Sequence, residues 1–201
     1  MRIAMAYVYE IAENDDYLLM LNDDVIIGPT YVASLVKDSI KSQGAIVGSL
    51  QLDQSSNLPF ASGYKIDYWR MCIRSFRAPH EIPDALPGRG VLFPMRAARA
   101  AGVIHRLLPH YLGDLEFTAR VKEMGNRLMV SSSAAVSTTQ DLSPTSVNPR
   151  GAINGWFSGR SPRNVWHRLV FFLVRGPFLL RILAAPRFLI IAIYKIVSLS
   201  V

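Results

Sequence analysis

Apolar residues arrive in short bursts through the first two thirds of the chain. Ile3, Tyr7 and Ile11 recur at four-residue spacing, which predicts a short helix over residues 1–13. Asn14-Asp15-Asp16 makes a turn. Tyr17–Leu21 is an unbroken apolar run and reads as a central strand buried on both faces. Gly28-Pro29-Thr30 breaks the chain and opens a helix to about Gln43. Ala45–Leu50 reads as a second strand. Residues 53–85 show no long period. Asn57, Pro59, Gly63, Pro79 and Pro83 punctuate them, leaving an irregular stretch with room for a hairpin.

Order returns after Leu86. Val91–Phe93 reads as a short strand and Met95–Ala101 as a short helix stopped by Gly102. Leu115–Met124 is a better helix, with Phe117, Val121 and Met124 on one face and Glu116 four residues before Arg120, the favourable order for an ion pair. Gly125-Asn126 supplies its left-handed stop. Leu128–Val130 and Ala134–Val136 read as two further strands. Strand, helix and strand joined by short links predict an α/β sheet. Residues 138–164, rich in Ser, Thr, Pro, Asn and Gly, read as a loop or linker.

Residues 165–201 follow a different rule. They are apolar but interrupted by Arg168, Arg175, Arg181, Arg187 and Lys195. The longest uncharged stretch at the end, Phe188–Tyr194, is far short of the roughly 20 residues a spanning helix needs. Gly176-Pro177 and Pro186 break any long helix. The expectation is a set of short amphipathic helices on an anionic membrane surface. A partner-facing or domain-packing helix pair is the alternative.

Charge sharpens that division. Of the net +7, residues 1–140 contribute nothing, with 14 basic and 14 acidic side chains. Residues 141–201 hold eight basic residues and one acid, Asp141. The basic character therefore belongs to the tail. It gives the domain no nucleic-acid-binding face, and no nucleic-acid partner is expected. One cysteine, Cys72, excludes an internal disulfide and a cysteine-rich zinc site. Residues 1–20 lack the basic start and apolar core of a secretory signal. No P-loop, dinucleotide fingerprint or nucleophile elbow is present.

Three short motifs carry candidate chemistry. Asn22-Asp23-Asp24 closes the Tyr17–Leu21 strand at what should be the carboxyl edge of the sheet, where open α/β sheets bind ligands. A hard cation such as Mg²⁺ is often held by one or two carboxylates plus substrate phosphates, and an acidic pair at a strand end fits that need. A solvated turn explains the same residues. Gly88-Arg89-Gly90 allows close approach of backbone to a ligand, with Arg89 suited to a phosphate or sugar hydroxyl. A simple turn is the bland reading. Asp114 and Glu116 open a helix, where the dipole alone favours acids. One of them is also placed to act as a general base. Glu116 has Arg120 as a partner, so Asp114 is the candidate base and Glu116 its support. His110 and Tyr111 stand just before them. The whole describes a metal-assisted transfer site with a separate carboxylate base.

In order and spacing, LLMLNDDV, LPGRGVLFP and LPHYLGDLEFTARVKEMGNRLMVS resemble the family-two inverting glycosyltransferases of GT-A fold, and within them the bacterial rhamnosyltransferase-like branch. The resemblance covers roughly residues 1–137, and more loosely Ser161-Pro162-Arg163-Asn164. It implies a partial GT-A, Rossmann-like mixed sheet flanked by helices, with the amphipathic tail at 165–201 appended after a 138–164 linker. It implies that Asn22, Asp23 and Asp24 hold Mg²⁺ or Mn²⁺ on the diphosphate of a UDP- or dTDP-sugar, Asp24 being the best match. It further implies that Gly88, Arg89, Gly90, His110, Tyr111 and Arg120 line the donor and acceptor sites, and that Asp114 is the base. The reaction would be an inverting transfer to a glycan or lipid-linked acceptor of the cell envelope, at the inner face of the membrane.

Two departures stand out. Many members carry a His after the last strand, where this chain reads Val136-Ser137-Thr138-Thr139. The family also begins with nucleotide-binding strands that precede the acidic motif, and this chain starts at the helix before it. The expectation is a chain that needs another segment or chain to supply the nucleotide half. A non-catalytic remnant that binds a membrane or partner remains the alternative reading, and a metal-dependent nucleotidyl or phosphoryl transferase a third.

Overall fold

The structure, a computed structural model, describes residues 1–77, 81–109, 111–138, 164–182, 186–187 and 190. The expected linker falls outside these apart from its ends, as does most of the chain beyond Ile182. The chain divides into two compact units. Unit 1 holds Met1–Ile66, Ile73–Ile104 and the described residues from Asp114 to Thr138. Unit 2 holds Asp67–Cys72 and the described residues of His105–Gly113 and from Asn164 onward.

Unit 1 is built from α1 (Arg2–Ile11), β1 (Tyr17–Met20), β2 (Ile26–Ile27), α2 (Tyr31–Lys41), β3 (Ile46–Asp53), β4 (Pro59–Ala61), β5 (Gly63–Asp67), β6 (Cys72–Phe76), β7 (Val91–Pro94), α3 (Met95–Ala101), α4 (Gly113–Glu123) and β8 (Leu128–Thr138). The main sheet runs β1-β7-β3-β8-β2, with β4 added to the far end of β3. It is mixed: β3 lies parallel to β8 and antiparallel to β7, and β1 lies antiparallel to β7. Helices cover both faces. One face buries Leu18, Met20, Ile46, Val91 and Phe93 against Met5 of α1, Met95 and Ala98 of α3, and Phe117 and Val121 of α4. The other buries Val47, Leu92 and Val136 under Tyr31 and Leu35 of α2. The strand alternation explains the split: Val91 and Phe93 point one way and Leu92 the other, so an unbroken apolar run is what a sheet covered on both faces demands.

This matches the expected mixed α/β architecture. Three details differ. Tyr17–Met20 is apolar on both faces as anticipated, yet it sits at the end of the strand order instead of the centre, and no strand pairs with its outer edge among the described residues. The stretch 53–85 holds the two-stranded ladder for which the sequence left room, β5–β6, and adds β4, which was not expected. Long-range pairing with β3 and Ala85 sets those strands, which no local period records. Finally, Leu128–Val130 and Ala134–Val136 form one strand with a bulge between them, because the register with β3 jumps from Gly48↔Val130 to Leu50↔Ala135. The Ser131 hydroxyl holds the bulge, accepting from the N–H groups of Ser133 and Ala134 and donating to Asp38 of α2 at 2.6 Å.

Unit 2 centres on α5 (Val165–Arg175). Asn164 caps it, its side chain accepting from the His167 N–H at 3.0 Å. The helix buries His167, Val170, Phe171 and Phe172, and the Phe172 ring meets Tyr68 edge-on at 6.1 Å.

Candidate functional site

The acidic motif follows β1 directly. Asn22 is half-buried, while Asp23 and Asp24 are exposed on the turn that leads into β2. That turn is fastened to the last strand: the Thr138 hydroxyl donates to the Asp24 carbonyl at 3.1 Å. Asp24 therefore has a fixed backbone and an exposed carboxylate.

The Gly88-Arg89-Gly90 loop is held at both ends. Gly90 donates its N–H to Met20, the last residue of β1, and its carbonyl accepts from the N–H and hydroxyl of Ser49 on β3. Because the Ser49 hydroxyl donates to Gly90, Tyr31 must donate to Ser49, at 2.6 Å. Gly90 has φ 101°, and a Cβ there would fall on the Tyr31 Oη, so glycine is required for both conformation and space. Gly88 donates its N–H to Asp114 Oδ2 at 2.6 Å, and a Cβ on it would lie 3.1 Å from Asp114 Cβ. Between the glycines, Arg89 reaches back to Asp24, Nη2 to Oδ2 at 3.8 Å. One tripeptide thus ties the acidic motif to the first turn of α4.

At that turn Asp114 accepts from Gly88 with one oxygen and from the Leu115 N–H with the other, at 2.9 Å. Burial pushes its carboxyl up from the ordinary aspartate range; the Gly88 and Leu115 donors and the Arg89 guanidinium pull it back only in part. A carboxylate raised in this way is a better proton acceptor than a free aspartate. One helical turn later Thr118 accepts the Leu86 N–H at 2.9 Å, so α4 grips the Leu86–Gly90 loop at two points. Leu112, just before α4, takes φ 63°, a backbone conformation unusual for its side chain.

Glu116 and Arg120 face elsewhere. Glu116 is fully buried and receives Arg120 at 2.9 Å. The Arg120 guanidinium also donates to the carbonyls of Ala101 and Val103, and lies 5.3 Å from the Phe117 ring centroid. It closes the end of α3, where orphan carbonyls need donors. Tyr111 belongs to unit 2, its ring 6.3 Å from that of His167. His110 lies outside the described residues.

Two residues join the site that the sequence reading passed over. Thr118 is one; its place four residues after Asp114, on the same helix face, was the available signal. Tyr64 is the other. It lies in β5, strapped to Ala85 by backbone hydrogen bonds. Burial raises its phenol, the Asp114 carboxylate raises it further, and Arg89 opposes them. No local pattern marks Tyr64, because β5 reaches the loop only through tertiary pairing.

Among the described residues no group of three or more His, Cys, Asp or Glu side chains could enclose a metal ion. Asp23 and Asp24 are two exposed carboxylates. That set suits a Mg²⁺ or Mn²⁺ shared with a diphosphate, and does not suit a cation held by protein alone.

No protein-family model matches the chain, and no curated protein is similar to it. Among solved structures it is similar to the crystal structure of GalNAc-T7 with UDP, GalNAc and Mn2+, with a TM-score of 0.56 and 13% identity over 85% of this chain. The chain spans 34% of the length of that protein. The likeness establishes a GT-A-like fold.

Proposed function

We propose that this chain carries the catalytic and acceptor side of an inverting, family-two-type glycosyltransferase, of the rhamnosyltransferase-like kind. Its donor would be a UDP- or dTDP-sugar and its acceptor a hydroxyl of a glycan or lipid-linked glycan of the cell envelope, reached at the inner face of the membrane. The observation that carries the reading is the loop Gly88–Gly90, which joins Arg89 to Asp24 and Gly88 to Asp114. The resemblance in fold to a transferase crystallised with UDP and Mn2+ supports it.

Asp114 accepts the proton of the acceptor hydroxyl as the new bond to the anomeric carbon forms. The bond from that carbon to the diphosphate oxygen breaks on the opposite side, so configuration inverts. Asp24, with Asp23 and Asn22 beside it, would hold the Mg²⁺ or Mn²⁺, whose contribution is to neutralise charge on the diphosphate. Arg89 adds a guanidinium to the same task, in a place where preorganised positive charge counts most. Thr118 and the two glycines keep base and guanidinium in register. Tyr64, its phenol held protonated, donates to a sugar hydroxyl.

The nucleotide-binding half is supplied, in this reading, by a segment or chain that extends the sheet beyond β1. The outer edge of β1, unpaired among the described residues, and the exposed Ile3, Tyr7 and Ile11 of α1 favour it. The same features fit the alternative, a non-catalytic subunit that docks on a partner. Calorimetry separates the two. With the proposed nucleotide-binding half supplied, Mn²⁺-dependent binding of UDP or dTDP, lost in Asp24→Asn, is expected of the transferase. Nucleotide binding that ignores both the cation and Asp24 contradicts the assignment.

A further inference from the structure

Among its described residues unit 2 contains six arginines, Arg70, Arg106, Arg168, Arg175, Arg181 and Arg187, and one acid, Asp67, which accepts the Arg70 N–H at 2.8 Å. Large apolar side chains stand exposed beside the arginines. The turn after Gly176 begins at Pro177, whose carbonyl accepts from Leu180 and Arg181. Phe178, Leu179 and Ile182 then project at positions i, i+1 and i+4, at 74%, 73% and 63% exposure. Arg181 is fixed among them, its Nε donating to the Gly176 carbonyl at 2.5 Å. Trp69, on the segment between β5 and β6, is 65% exposed and carries the Arg187 guanidinium 4.8 Å from its ring centroid.

α5 is not part of this surface in the way its amphipathic pattern implies. Its apolar side is already buried within unit 2, on His167, Val170, Phe171 and Phe172. No helix among the described residues is long and apolar enough to cross a membrane. We infer that unit 2 docks on an anionic phospholipid surface through the Pro177–Ile182 turn, with Phe178, Leu179 and Ile182 entering the headgroup boundary and Arg181 and the Arg187–Trp69 pair meeting lipid phosphates. The chemistry is that of an interfacial segment: apolar side chains supply burial, guanidinium groups supply attraction to negative headgroups, and an indole sits at the level between them. Isolated positive charge would fit any polyanion. The three projecting apolar residues select a lipid surface over a soluble one. The inference concerns unit 2 alone, so nucleotide binding and lipid binding stand or fall separately.

The test is co-sedimentation of the whole protein with vesicles of phosphatidylcholine alone and of phosphatidylcholine and phosphatidylglycerol in equal parts. Binding to the mixed vesicles only is expected, weakened by high salt. Arg181→Glu should lower it by about fivefold or more, since each basic residue near the surface is worth about that factor. The pair Phe178→Ser and Leu179→Ser should lower it by more than tenfold while leaving the melting temperature in place, as both residues are solvent-facing. Equal binding to both vesicle types, or none, overturns the inference. So does a double variant that binds as well as the parent, or displacement by soluble polyglutamate as effective as by vesicles.

Discussion

Asp114 and Glu116 stand two residues apart at the start of α4, and the two sides of that helix treat them oppositely. On the loop side Asp114 meets backbone N–H donors and shares the neighbourhood of Arg89 and Tyr64, with no guanidinium paired directly to it. On the core side Glu116 is neutralised by Arg120 and sealed from solvent. The first arrangement leaves a carboxylate able to take a proton. The second uses one up as structure. Two acids equivalent by helix dipole and spacing thus end in opposite environments, set by what lies across from each; the first is the proposed base, the second a brace.

If that contrast is right, Glu116→Gln should act on stability. It leaves Arg120 without its buried partner and should cost about 3 kcal/mol, read as a lower denaturation midpoint. Any folded fraction keeps donor binding. Gly90→Ala should cost about 2 kcal/mol by driving a methyl group into Tyr31 and Ser49 and forcing an unfavourable φ; Gly28→Ala, where a Cβ meets nothing within 4 Å, is the control. Tyr64→Phe removes a donor on the loop side and should raise the acceptor KM by about fivefold, the worth of one hydrogen bond, with the fold unchanged. A Tyr64→Phe variant with parental KM would exclude it from the acceptor site.

The smallest effect is a displacement along the pH axis. Asp114 must be ionised to act, and its carboxyl lies above the ordinary aspartate value of about 3.9. Activity should therefore rise with pH along a limb set higher than that value. Arg89 lowers the Asp114 carboxyl, so Arg89→Gln should move the limb to higher pH. A limb that moves down, or stays, would place Arg89 away from the base. The same sign governs stability: a carboxyl raised in the folded state costs stability once pH exceeds its unfolded value, and the cost is complete above the folded one.

Much of the sheet was legible beforehand because local pattern and tertiary environment agree there. Val91–Phe93 alternates between two covered faces, Gly102 ends α3 with φ 77°, and α4 starts with acids and ends with basic residues. The Asp24, Arg89 and Asp114 motifs could be named from the chain, but the loop that ties them together could not. It depends on Gly90 meeting Met20 and Ser49, contacts made across strands far apart in sequence. For Arg120 the sequence showed the partner Glu116, four residues earlier, and the structure has that pair at 2.9 Å; the carbonyls of Ala101 and Val103, invisible in any pattern, also engage its guanidinium. Tyr64 was hidden because β5 owes its existence to pairing, not to period.

The most direct measurement compares Asp114→Asn with Glu116→Gln in a sugar-transfer assay with Mn²⁺ and a nucleotide-sugar donor, with the proposed nucleotide-binding segment or chain supplied. Asp114→Asn should lower the transfer rate about a thousandfold, the scale of a lost general base, with the melting temperature unchanged or higher because an unfavourably buried charge is gone. Glu116→Gln, once folded, should retain most of the rate. Transfer that survives Asp114→Asn, or that falls equally in the folded Glu116→Gln protein, would contradict the assignment of Asp114 as the base.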